Sequence, residues 1–361
     1  IIMSKPRLIA FYLPQFYPTK ENDEWWQPGF TEWTNVGRAK PLFPGHHQPK
    51  VPADLGYYDL RVPETREKQV ELAKEAGIEG FCYWHYWFAG KRLLDRVFRE
   101  VVESGKPDFP FCLCWANHSW LKKVWDPTKP NTMLMEQTYP GEKDFTDHFY
   151  EMLPAFKDPR YMKCNGKLIF GIFAPLDMPN MDLFKSTWNR LAKENGIEGF
   201  WFFGLCYGMA NGEKVIAKGL DAACVDYMQM QNIITNPIKD FLWHVVRKIT
   251  CFPKYMTYSK YVKDVVKYFH PKEKMIPCIG PNFDHSPRSG NRGVILFGST
   301  PQKWYSLCRY IFEKVKFRLH EDNIVIVKSW NEWGEGNYLE PDLQYGKDYI
   351  KATQKALDEV E

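Results

Sequence analysis

Two glutamates three residues apart, Glu332 and Glu335, stand inside Trp330-Asn331-Glu332-Trp333-Gly334-Glu335-Gly336. A pair of carboxyl groups framed by tryptophan is suited to acid–base chemistry on a sugar. Along an extended strand, positions i and i+3 lie about 10 Å apart on opposite faces. A turn or helical bend brings them to roughly 5–6 Å, and Gly334 and Gly336 make such a bend easy. That separation suits a retaining glycosidase better than an inverting one. One carboxyl must hold a proton while the other carries charge, so their surroundings must drive their pKa values apart. Trp333 beside Glu332 and Gly334 beside Glu335 offer the asymmetry.

The pair follows Ile324-Val325-Ile326-Val327, whose four β-branched residues read as a strand buried on both faces. In a parallel α/β protein the carboxyl end of such a strand is where chemistry is kept. Seven more strands are expected over 7–17, 80–88, 109–115, 168–174, 199–206, 222–228 and 274–280. Helices are expected over 63–76, 91–104, 142–156, 180–194, 211–218, 302–319 and 345–360, with helical pattern over 239–270 interrupted at Pro253. This alternation predicts the α/β class, a single (β/α)8 TIM barrel with elaborated βα-loops, with residues 1–361 as one domain. Residues 18–63 have no helical period and read as a long first loop over the barrel mouth. Glu32, Trp33, His46, His47 and Gln48 are its candidates for function or for pinning the loop.

The motif, with Glu340-Pro341 after it, resembles the signature of glycoside hydrolase family 99-like proteins, including the WbsX-type branch related to endo-α-mannosidases and endo-mannanases. Phe11-Tyr12-Leu13-Pro14-Gln15-Phe16-Tyr17-Pro18, Phe30-Thr31-Glu32-Trp33 and Cys114-Trp115-Ala116-Asn117 are similar to that branch too, so the resemblance covers nearly the whole chain. It implies a retaining, endo-acting hydrolase of an α-linked mannose-like or related polysaccharide. It further implies Glu332 as base on the sugar 2-hydroxyl, which attacks C1, and Glu335 as acid and base at the glycosidic oxygen. The spacing alone leaves a direct carboxylate nucleophile equally open. The hydrolases carry histidine where Gly334 stands, which marks Gly334 as a point of altered specificity.

Aromatic residues make up 16% of the chain, with 14 Trp and 20 Tyr, many at expected strand ends. They supply either packing or stacking walls for a pyranose. On that basis Tyr12, Trp33, His85, Trp115, Asn117, Tyr227, Trp330, Asn331 and Trp333 are the candidate substrate contacts, Asn331 alternatively holding a turn. Glu340 and Asp342 read as loop-fixing. His85, His118 and His285 lie on different strands with no local ligand pair, so no metal or other cofactor is expected.

A formal charge of +4 from 48 basic and 44 acidic residues spread along the chain argues against a nucleic-acid surface. No run of 18 apolar residues occurs, so no membrane span is expected. Nine cysteines without zinc spacing suggest reduced thiols in a cytoplasmic chain, or a periplasmic one if a leader was removed. The expected partner is an oligosaccharide or polysaccharide, and the expected state a monomer. Two rivals remain: a surface-polysaccharide glycosyltransferase, which the absence of any Asp-x-Asp opposes, and a non-catalytic carbohydrate-binding barrel, for which paired glutamates have no use.

Overall fold

The computed structural model describes residues 4–122, 130–228, 237–250 and 252–360. Eight strands carry the barrel: β1 (Arg7–Tyr12), β2 (Ile78–His85), β3 (Phe111–Trp115), β4 (Lys167–Ile172), β5 (Phe200–Tyr207), β6 (Ala222–Asp226), β7 (Met275–Ile279) and β8 (Ile324–Val327). Each pairs in parallel with the next, and β8 pairs with β1, Arg7 opposite Ile324 and Ala10 opposite Val327, so the sheet closes as a TIM barrel. Strands covered on both faces need apolar residues on both, and every residue of β1, β3, β6, β7 and β8 is buried.

Helices pack outside. Pro63 opens the helix Pro63–Glu75, which buries Val70, Leu72 and Ala73 and stops before Gly77. Glu142–Phe156, Met181–Glu194, Met209–Ala217, Pro301–Val315 and Asp348–Asp358 follow the expected positions within a few residues. Among the described residues no helix is long and apolar enough to cross a membrane.

Several expectations are corrected. Strand β1 ends at Tyr12, before Pro14. The long first loop holds two short helices, Lys20–Trp25, capped by the Thr19 side chain, and Glu32–Arg38, capped by Thr31 and Thr34. At six and seven residues they are too short to show a period, and only their caps announce them. The second helix starts at Arg96, because Lys91–Arg92 pairs back with Trp87–Phe88 around Ala89 and Gly90, both at positive φ. Between helices Pro237–Thr250 and Tyr258–Tyr268 a strand, Lys254–Thr257, pairs outside the barrel with Val294–Phe297. Gln229 and Cys251 lie outside the described residues.

Candidate active site

The segment leaving β8 is held at both ends by groups that cannot be left unpaired when buried. Trp330 N–H donates to Phe11 O, and the Asn331 amide spans Leu13, accepting from its N–H at 2.7 Å and donating to its carbonyl at 3.1 Å. Asn331–Glu332 then pairs antiparallel with Asn337–Tyr338, and the connection is the 3-10 turn Trp333–Glu335. Gly336 closes it in the left-handed region at φ +52, where a Cβ would also meet the Asp284 backbone at 2.9 Å. The turn puts both glutamates on one face. Trp333 lies behind it, stacked on Tyr338 at 3.8 Å with its indole N–H on Glu340.

That face opens on a cavity of about 590 Å³, within the range of small-molecule sites. Beside Glu332 and Glu335 its wall holds Leu13 and Gln15 after β1, Trp84 and Tyr86 at the end of β2, His118 and Trp120 after β3, Phe173, Tyr207, His285, Arg288 and Lys328. Glu32 and Asn35 from the helix Glu32–Arg38 also line it, as do Trp25, Trp26 and Phe30 from the same loop.

The two carboxyl groups are driven apart. Glu332 is buried and its pKa is pushed up to about 7, first by burial and then by the charge of Glu335. The Trp84 indole N–H, 2.6 Å from its Oε1, works against this. For Glu335 burial also pushes upward, but Arg288, His285 and Lys328 overcome it and hold the carboxyl well below the ordinary glutamate value, helped by a hydrogen bond from Glu332. Arg288 Nη1 sits 2.5 Å from Glu335 Oε1 and His285 Nε2 3.9 Å from it. Lys328 would discharge on burial, but Asp226, 3.3 Å away and fully buried, keeps it an ammonium.

None of the nine residues expected to touch substrate is among those that line the cavity. Tyr12, His85 and Trp115 occupy strand positions that face the helices: Tyr12 donates to Gln69, His85 lies 2.7 Å from His148, and Trp115 donates to the Trp87 carbonyl. Tyr227, one residue past β6, reaches the Tyr268 carbonyl. Side chains alternate along a strand, so the inward positions are one residue away: Phe11, Trp84, Ala116 and Asp226 point in, Trp84 stacking on Phe11 at 4.4 Å. Asn117 clips the Ala174 N–H and carbonyl and the Tyr139 hydroxyl. Trp33 packs against Phe16, Tyr58 and Trp333, Trp330 against Phe81, and Asn331 and Trp333 fix the turn as described.

Of the five first-loop candidates only Glu32 lines the cavity, while His46 and Gln48 both hold the Asp284 carboxylate at 2.7 Å, Trp33 packs and His47 is exposed. His118 and His285 line the cavity and His85 does not. Burial keeps His85 and His148 neutral. Sequence reasoning passed over Lys328, although a lysine ending four buried aliphatic residues is itself a signal. Arg288, in Ser286-Pro287-Arg288-Ser289, gives none.

A family model described as Glycosyltransferase WbsX matches residues 8–353. Two curated relatives from Xanthomonas campestris pv. campestris, strains ATCC 33913 and B100, each called Uncharacterized protein WxcX, are 32% and 33% identical over 97% of the chain. The matches cover 49% of each relative, so the chain spans about half their length. Similar solved structures include a glycoside hydrolase-like protein (15% identity, 99% of this chain and 95% of that one, TM-score 0.61). Another is the GH99 endo-alpha-mannosidase from Bacteroides thetaiotaomicron (13% identity, 98% and 97%, TM-score 0.54). At these identities the likeness is one of fold.

Proposed function

The chain belongs to the WbsX family, and from that premise we propose that it is a glycoside hydrolase whose working groups are Glu332 and Glu335. The observation that carries the reading is the pair of carboxyls on one face of an aromatic-walled cavity, Glu335 gripped by Arg288 and Glu332 held by the Trp84 indole, so that their surroundings drive their pKa values apart. Breaking a glycosidic bond needs a proton for the leaving oxygen and a negative group at C1, and it needs them together. The ionised partner acts at C1 directly or through the sugar 2-hydroxyl. Both routes retain the anomeric configuration, as the short separation favours.

The substrate we propose is an α-linked mannose-like or related polysaccharide cut within its chain. Trp25, Trp26 and Phe30, which add aromatic wall to the cavity from the first loop, support an extended sugar chain over a single terminal residue. We propose that 1–361 works as one catalytic domain. The eight described cysteines, all free and buried, support a reducing compartment such as the cytoplasm.

The family's description favours a second reading, transfer of sugar from a nucleotide donor. Wild type, Glu332→Gln and Glu335→Gln are to be incubated with α-mannan, rhamnan and bacterial surface polysaccharides, and the products resolved by mass. Cleavage abolished by either substitution supports the hydrolase. Transfer from a nucleotide sugar that survives both substitutions, with no polymer cut, overturns it.

A further inference from the structure

Glu335 is the end of a chain of contacts that starts outside its own segment. Arg288 comes from the short helix Ser286–Ser289 in the loop after β7. Its Nη1 meets Glu335, while its Nη2 and Nε lie 3.0 and 3.2 Å from Glu32 Oε2. The other Glu32 oxygen accepts from the Gln15 amide at 3.0 Å. Gly334 is the opening through which this chain passes. A Cβ there would collide with the Glu32 carboxylate and stand 3.0 Å from Arg288 Nε. The position at which the resemblance expects histidine is therefore filled by a carboxylate from the first loop, and the two arrangements exclude each other.

We infer that Glu32 and Arg288 are positioning residues, admitted by Gly334, that fix Glu335 as the carboxylate of the pair and leave the transferable proton on Glu332. The inference rests on the hydrolase reading and reverses the division of roles that the resemblance implies. An acid at Glu335 would have to keep a proton between a guanidinium, an imidazole and an ammonium. With the roles as inferred, a Glu335 oxygen bonds to C1 as the C1–O bond breaks and the Glu332 proton passes to the leaving oxygen. Water then gives a proton to the ionised Glu332 and bonds through its oxygen to C1, and Glu335 departs as carboxylate. Glu32 keeps Arg288 neutralised while Glu335 is covalently occupied, so the clamp holds through the cycle.

The groups facing Glu335 are Arg288 and His285 after β7, Glu32 from the first loop, Lys328 at the end of β8, and Glu332. Tyr86, His118 and Tyr207 feel its charge from the ends of β2, β3 and β5. Their sum can be read without any substrate, by titrating the carboxyl 13C resonances of glutamate-labelled protein, with Glu332→Gln and Glu335→Gln assigning the two signals. In wild type Glu335 stays ionised below the ordinary glutamate value of about 4.3, and Glu332 takes up its proton near neutrality. In Arg288→Gln the Glu335 midpoint rises by more than about one unit, since a close opposite charge lowers a carboxyl by one to three. Arg288→Lys keeps part of the difference. Arg288→Met, which keeps the length of the side chain and removes its charge, shifts Glu335 the same way and serves if Arg288→Gln does not fold. An unmoved Glu335 in both variants, or a wild type in which Glu335 holds the proton, overturns the inference. Failure to cut any polymer would count against the hydrolase reading alone, because the titration needs no cleavage.

Discussion

Glu332 and Glu340 lie on one stretch of chain, both buried, and both are pushed to about 7. Only one of them faces the cavity. Glu340 accepts from the Trp333 indole and the Gln69 amide at 2.6 Å and from the Tyr58 hydroxyl at 2.9 Å, which ties the β8 segment to the first loop and to the helix Pro63–Glu75. Glu332 accepts from the Trp84 indole and otherwise meets another carboxyl and open space. A raised pKa therefore marks burial and does not by itself mark chemistry. What separates the two is whether a reactant can reach the proton.

The largest difference should appear in activity. Glu332→Gln and Glu335→Gln each remove an acid–base or nucleophilic group and should lower polysaccharide cleavage by a factor of about 10² to 10⁴, with thermal unfolding little changed. Glu340→Ala should do the opposite. It leaves three buried donors without their acceptor, at about 1 kcal/mol or more for each, so denaturant unfolding should show a loss on the order of 3 kcal/mol. If Glu340→Ala abolished cleavage at unchanged stability, the distinction between the two carboxyls would collapse.

The pH dependence of stability should then show what they share. Both are raised above their unfolded value of about 4.3, so between there and about 7 the folded chain holds more protons than the unfolded one. Their contribution is complete below that window, is lost as pH rises through it, and changes no further above it. Glu335, held low, contributes above its unfolded value and loses that only in strong acid. Urea unfolding at pH 5, 6 and 7 should therefore give Glu340→Gln and Glu332→Gln each a flatter fall than wild type, by up to about 1.4 kcal/mol per pH unit. A flatter fall in only one would show that the other is ionised throughout.

The barrel was legible because each buried strand is a short β-branched or aromatic run with a helix after it, and Ile324–Val327 could hardly be anything else. The glutamates were legible because their turn carries its own glycines. The cavity wall was not, because its choice depends on strand parity. In Tyr83-Trp84-His85-Tyr86-Trp87 every residue looks fit to touch a sugar, yet alternation sends Trp84 and Tyr86 inward and His85 out to His148. Sequence shows the aromatic run and not where its pleat starts. Arg288, and its pairing with Glu32, which the first loop offered only as one of five candidates, were illegible for another reason. The two come from separate loops, and only the space above Gly334 brings them together.

The smallest effect is the sharpest probe of the comparison. Trp84 and Trp333 each place an indole N–H 2.6 Å from a carboxylate oxygen, one on Glu332 and the other on Glu340. Each ring also stacks, Trp84 on Phe11 at 4.4 Å and Trp333 on Tyr338 at 3.8 Å, so phenylalanine keeps an aromatic contact while deleting the donor. A donor favours the ionised carboxyl, and one neutral hydrogen bond contributes about 0.5–1.5 kcal/mol, which is up to about one pKa unit. In Trp84→Phe the proton on Glu332 should therefore persist to higher pH, and the alkaline limb of the cleavage profile should move up by about half to one unit. In Trp333→Phe the limb should stay where it is and only stability should fall, because the carboxyl it releases donates no proton to substrate. Equal movement of the limb in both variants would mean that Glu340 and Glu332 titrate as one unit across the wall, and the division between a reacting and a supporting carboxyl would have to be redrawn.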